Sequence, residues 1–127
     1  MAGQKGGGMK ELVKQLTADL KAAMTFVEQR AVPPTGEYLE GVLLRSQLQP
    51  CCTVLAKSLG PPLKDFNEAA KFEPRIQKAV DRLGGIRIDQ CLFFAKGQES
   101  QVAYAALWPW ASNPEKITLK VGLCELA

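Results

Sequence analysis

Lys116-Ile-Thr-Leu-Lys-Val-Gly-Leu-Cys-Glu-Leu126 alternates without a break. Ile117, Leu119, Val121 and Leu123 fall on one side, and Thr118, Lys120, Gly122 and Cys124 on the other. A period of two is that of a strand with one buried face. Two further strand-like stretches precede it, Ile86-Arg-Ile-Asp-Gln-Cys-Leu-Phe-Phe-Ala95 and Gln101-Val-Ala-Tyr-Ala-Ala-Leu-Trp108. The connectors Lys96-Gly-Gln-Glu-Ser100 and Ala111-Ser-Asn-Pro-Glu115 are rich in turn formers and short enough for hairpins. The pattern predicts a three-stranded antiparallel meander over about 86–95, 101–108 and 116–126, packed on helices from the earlier part of the chain.

The middle strand is apolar on both sides. Val102, Tyr104, Ala106 and Trp108 line one, and Ala103, Ala105 and Leu107 the other. Such a strand is covered twice. Helices on both faces would satisfy the pattern, and so would helices on one face and a twin subunit on the other. The second reading makes Ala103, Ala105 and Leu107 candidates for an interface between copies.

Four helical stretches are predicted ahead of the sheet. Over 9–31, Met9, Val13, Leu16, Leu20, Ala23 and Val27 repeat at steps of four and three, and Leu12 and Met24 widen the stripe. The seam fits either a coiled-coil dimer or a helix packed on its own domain. Val32-Pro-Pro34 ends it, because a residue before proline is pushed out of the helical region. Thr35 can cap a second helix to residue 48, with Tyr38, Leu39, Val42 and Leu43 as apolar positions and Gly41 as a weak point. Pro50 suits the first turn of a third helix, 50–59. An alternative makes 40–48 and 51–57 strands. The fourth helix, 62–83, runs to Gly84-Gly85 with a kink or break at Pro74. Residues 1–8 read as a flexible tail, since Gly6-Gly-Gly8 has no side chains to offset the cost of ordering it. No Gly-Lys-Ser/Thr follows these glycines, so they do not make a phosphate loop.

The fold class is therefore α+β, a single domain over 9–127. At 127 residues the chain can bury a full core without staples. No apolar run approaches a membrane span, and the first residues lack the apolar core of a signal peptide, so the expected location is cytoplasmic.

The chain has no histidine, and this constrains its chemistry most. Ser-His-Asp and Cys-His constellations are excluded within one chain, as are histidine-ligated metal sites. Cys51, Cys52, Cys91 and Cys124 form no Cys-x-x-Cys pair and read as reduced thiols. Adjacent cysteines on a helix diverge, which suits one shared ion poorly. Cys91 and Cys124 are expected on the outer sheet face. No metal or cofactor is expected.

Two clusters can carry binding. Lys64, Lys71, Arg75, Lys78 and Arg82 are spaced by seven, four, three and four, which on one helix makes a basic stripe for an acidic partner. Asp65, Glu68, Glu73 and Asp81 lie on the same stretch and leave it at +1, so the stripe also reads as an ordinary solvated helix face. With a net charge of +3 for the whole chain, nucleic acid is a poor fit. The second cluster centres on Trp108-Pro-Trp110, whose indoles project to one side of an extended segment. They suit core, the lip of a pocket or an interface anchor. A sheet–helix cleft here would add Phe94 and Tyr104, with Arg87, Asp89 and Glu99 as polar groups.

Met24-Thr-Phe26, followed further on by Pro61-Pro-Leu-Lys-Asp-Phe-Asn-Glu-Ala-Ala-Lys-Phe72, resembles the helical N-terminal domain of adenylyl cyclase-associated proteins, which bind actin. The resemblance covers under half of the chain and implies an all-helical domain, which the alternating terminal third does not match. No fold, activity or residue role is carried over from it. The leading expectation is a non-catalytic accessory or adaptor protein that associates with itself through its sheet, or binds another protein. A small-molecule-binding domain or enzyme using the tryptophan cleft is the alternative, and an acidic-partner binder using the stripe is the third.

Overall fold

The computed structural model describes residues 3–29, 37–69, 71–97 and 101–126. In chain order these form helix α1 (Gly3–Ala23), strands β1 (Glu28–Gln29) and β2 (Leu39–Leu44), a 3-10 turn at Arg45–Gln47, helix α2 (Leu48–Leu59), helix α3 (Pro74–Arg82), and strands β3 (Cys91–Lys96), β4 (Gln101–Pro109) and β5 (Lys116–Glu125). All pairings are antiparallel, and the sheet order is β1-β2-β5-β4-β3. The class is α+β, but the sheet has five strands rather than three. It also differs from the all-helical domain that the resemblance implies.

The alternation of β5 puts it at the centre of the sheet. Leu119 stands between Leu107 of β4 and Gly41 of β2, and Thr118 between Trp108 and Val42. The expected helix over 35–48 is instead strand at Leu39–Leu44; residues 35 and 36 lie outside the described residues. Because β2 is covered on both faces, Leu39, Val42 and Leu43 are all fully buried, and together with Tyr38 they imitate helical spacing. Gly41 weakens a helix but suits this strand, since a Cβ there would lie 2.9 Å from Cδ1 of Phe26. The strand alternative holds for 40–44 and fails for 51–57, which is helical.

The first helix stops at Ala23 instead of running to 31. Met24 still packs in the core, but Val27 has turned out to 47% exposure and donates its N–H to Val42 O at 2.7 Å, leading into β1. Residues 30 and 31 lie outside the described residues. α1 takes in residues 3–8 of the 1–8 stretch read as a tail, and residues 1 and 2 lie outside the described residues.

The long helix over 62–83 reduces to α3. Pro74 starts it rather than kinking it: Glu73 is extended, and proline at the first turn forfeits no helical hydrogen bond. Gly84 and Gly85, at φ +107° and +82°, end it, and Gly85 N–H returns to Val80 O at 2.9 Å. The first expected strand begins at Cys91, not at 86. Residues 87–90 form a turn, closed by Arg87 N–H on Gln90 Oε1 at 2.6 Å and Gln90 N–H on Arg87 O at 3.0 Å.

Helices cover both faces. α1 and α2 lie on the side of Leu39, Leu43, Phe93, Ala105, Leu119 and Val121. α3 lies on the side of Leu92, Val102 and Ala106 through Ile76, Ala79 and Val80. This accounts for the two-sided pattern of β4 within one chain. Ala103, Ala105 and Leu107 are 0% exposed beneath α1 and α2, so in the folded chain they present no surface to a second copy. Among the described residues no helix is long and apolar enough to cross a membrane.

Candidate functional site

β2 runs directly into the 3-10 turn and α2, and Arg45 is the first residue of that turn. Its N–H donates to Glu115 O at 2.8 Å and its Nε to Pro114 O at 3.0 Å, which ties the start of α2 to the β4–β5 connection. Across from it stands Asp65-Phe-Asn67. Asp65 Oδ1 accepts the Phe66 N–H at 2.8 Å, Asn67 sits at φ +60°, and the Asn67 N–H donates to Ile88 O at 2.7 Å. Asparagine tolerates that left-handed conformation better than most side chains, so the tight turn is encoded locally. Trp110 supplies the third wall. Its N–H donates to Lys116 O at 2.9 Å and its Nε1 to Thr118 Oγ1 at 2.8 Å.

Two clefts meet here. One, of about 550 Å³, lies along α2 between Cys52, Thr53, Ala56 and Asp65. The other, of about 370 Å³, lies between Asn67, Asp89, Trp110 and Pro114. Both are also lined by Arg45, Leu48 and Phe66, so they adjoin as one groove whose middle pairs a cation with apolar surface. Arg45 is the cation lining both clefts; the carboxylates Asp65 and Asp89 each line one of them.

The thiols near this groove are held protonated. Burial pushes Cys51 well up, with the neighbouring Cys52 and Cys91 adding to it. Cys52, on the groove wall, is raised by burial and by the Asp65 carboxylate. Cys91 is pushed up to about 12 by burial first, then by Cys52 and Asp65, with Lys64 and a backbone hydrogen bond opposing. A thiolate nucleophile wants the opposite environment. Among the described residues no group of three or more His, Cys, Asp or Glu side chains is placed to hold a metal ion. Cys91 and Cys124 do not share a face: Cys91 pairs with Leu107 under the α1–α2 layer, and Cys124 pairs with Val102 under α3.

The tryptophan cluster is only partly assembled. The indoles flank Thr118, Trp108 as its cross-strand partner and Trp110 through the hydrogen bond, with Lys120 Nζ 4.2 Å and Lys116 Nζ 5.1 Å from the respective ring centroids. Asp89 joins Trp110 in the groove, whereas Arg87 joins Trp108 in a separate cleft of about 240 Å³ with Gly84, Gly85 and Gln90. Arg87 Nε and Asp89 Oδ1 are 3.4 Å apart across the turn between them. Trp108 Nε1 is buried and has no acceptor among the described residues. Phe94 and Tyr104 are cross-strand partners on the α3 side and line none of these clefts. Glu99 lies outside the described residues.

The basic stripe is dispersed. Arg75, Lys78 and Arg82 are on α3, where Arg82 Nη2 donates to Glu125 O, and Lys71 is exposed ahead of the helix. Lys64 is buried and belongs to a different part of the molecule. Arg45, Leu48, Phe66 and Asn67 were not among the sequence candidates. Asn67 between Phe66 and Glu68 carries a turn signal, but the expected helix over 62–83 obscures it.

Compared with known protein families, curated proteins and solved structures, the chain gives no match.

Proposed function

We propose that this is a non-catalytic accessory or adaptor protein that holds an extended segment of a partner protein in the groove between α2, Phe66 and Trp110. The observation that carries the reading is the sharing of Arg45, Leu48 and Phe66 by two adjoining clefts, which makes a site longer than one side chain. Its charges run Asp65, Arg45, Asp89, with apolar surface between. A complementary segment carries an acidic residue for Arg45, apolar residues beside it for Leu48, Phe66 and Trp110, and basic residues at either end. Arg45 suits the acidic position, because Pro114 O engages its Nε, and among the described residues both Nη groups are left for a carboxylate. The raised thiols of Cys51, Cys52 and Cys91 favour binding over catalysis. Self-association, if it accompanies this function, uses a surface other than Ala103, Ala105 and Leu107.

Peptides selected from a random display library on the immobilised protein test the reading. Enrichment of basic–apolar–acidic sequences is expected, with binding lost in Arg45→Glu and weakened in Trp110→Ala. Selected peptides that bind both variants as tightly as the unmodified protein would refute the groove. A second reading, a small-molecule site, is favoured by the larger cleft alone, whose volume of about 550 Å³ falls within the ordinary range for such sites. It predicts that small organic fragments shift the amide resonances of Cys52, Thr53 and Phe66 while no peptide family is enriched.

A further inference from the structure

Lys64 is a buried cation with no anion in contact among the described residues. It is 2% exposed and forms no ion pair among the described residues. Its Nζ donates instead to three main-chain carbonyls, Asp65 O at 2.9 Å, Ile88 O at 2.7 Å and Gln90 O at 2.6 Å. An ammonium has three protons to donate and accepts nothing, so the three carbonyls match its capacity. Bonds to a charged donor are the strong ones, and a buried charge left without them is costly.

These carbonyls come from two segments outside the helices and named strands, the stretch after α2 and the turn at 86–90. Few other bonds join them. Asn67 N–H reaches Ile88 O, and just past the turn Leu63 N–H and Lys64 N–H reach Leu92 O of β3 at 2.8 and 3.2 Å while Leu92 N–H reaches Lys64 O at 2.9 Å. The same segments supply Asp65, Phe66, Asn67 and Asp89 to the groove.

We infer that the carbonyls of Asp65, Ile88 and Gln90 form a primary-ammonium site built into the fold, that the Lys64 side chain is its tethered ligand, and that filling it positions the 65–67 and 88–90 walls against each other. Lys64 is thus a positioning residue. Methionine in its place keeps the stem's shape but leaves three buried carbonyls without a donor. Arginine brings a planar fork that does not converge on three acceptors around one nitrogen. The inference stands whatever the groove binds, and its readouts do not involve a groove ligand.

Two measurements test it. In the unmodified protein, a proton–nitrogen spectrum tuned to lysine side chains should show a slowly exchanging ammonium resonance that disappears in Lys64→Met. A folded protein without that resonance overturns the inference, and this requires no variant to fold. In Lys64→Ala, the missing part of the side chain corresponds to propylammonium. The Asn67 and Leu92 amides should exchange about tenfold faster than in the unmodified protein, as expected when bonds to a charged donor are lost. Propylammonium chloride, but not tetramethylammonium chloride at the same ionic strength, should slow them again and raise the melting temperature of this variant alone. A folded Lys64→Ala whose exchange is unchanged, or responds equally to both salts, contradicts the site.

Discussion

The two faces of the sheet carry unequal covers. On one, α1 and α2 press Val13, Leu16, Leu20, Cys51 and Leu55 against the strands, all fully buried in one continuous cluster. On the other, the nine-residue α3 contributes only Ile76, Ala79 and Val80 to a smaller cluster. The strands supply apolar side chains to both sides, so the difference lies in what packs on them. The thick side is closed by long helices that satisfy their own backbone. On the thin side the chain must reach and leave a short helix through irregular segments, and their polar groups are held by side chains such as Lys64, Gln90 and Asp65. The candidate groove is walled by these segments and by the start of α2. Leu48, Cys52 and Phe66 of the groove pack against the thick-side cluster, so the groove rests on the better-packed side of the sheet.

Substitutions separate the two sides by size of effect. Leu107→Lys should be the most damaging, because it places an ammonium beneath α1 and α2 without acceptors; a loss of at least about 3 kcal/mol in urea denaturation is expected. A change below about 0.5 kcal/mol, the scale of ordinary surface positions, would mean that this face is open. Leu16→Ala or Leu20→Ala should cost about 2–5 kcal/mol by the same measurement, as for other large-to-small changes in a close-packed core. Val80→Ala, on the thin side, should cost less, about 1.5 kcal/mol from two buried carbon groups at about 0.8 each. If Val80→Ala matched Leu20→Ala, the covers would be equal and the comparison would fail.

The remaining expected effect is alkaline and is read against pH. Cys91 on the thick side rises from 9.0 to about 12, by burial and then by Cys52 and Asp65. Tyr104 on the thin side rises from 10.0 to about 12, by burial and then by Cys124 and Glu40. Both groups favour the protonated form more strongly when folded, so the folded state holds more protons than the unfolded one. Their contributions are complete below pH 9 and pH 10 respectively and are lost as pH rises toward about 12. Denaturation midpoints should fall from pH 9 upward, and Tyr104→Phe should reduce the part that begins near pH 10 without abolishing it, because burial and Glu40 raise Tyr38 from the same starting value.

Legibility in the sequence followed the same division. β4, β5 and the seam of α1 were readable because one periodicity persists over many residues; in the seam Val13, Leu16 and Leu20 are buried as expected, whereas Ala23 and Val27 are exposed. β2 was not, since a strand covered on both faces loses its alternation and Tyr38, Leu39, Val42 and Leu43 imitate a helix. The stretch 61–73 was misread for a related reason. Phe66, Ala69 and Phe72 keep helical spacing, but Lys64 pairs across to Leu92 and Asn67 turns the chain, both through long-range bonds that spacing does not reveal. Of the two tryptophans, Trp110 was legible as a residue that lines the groove, whereas Trp108 lines a separate cleft. Arg45 was not, because its role depends on Pro114 and Glu115, which are distant in sequence.

The four native thiols report on both covers at once. Cys51 and Cys91 are buried beneath the α1–α2 layer, whereas Cys52 on the groove wall and Cys124 on the α3 side are half-buried. Maleimide labelling of the folded, unmodified protein, followed residue by residue by mass spectrometry, tests this arrangement most directly. Cys52 and Cys124 should be modified first, and Cys51 and Cys91 only as fast as the molecule unfolds. Labelling of Cys91 in step with Cys124 would put both on one open face and contradict the account.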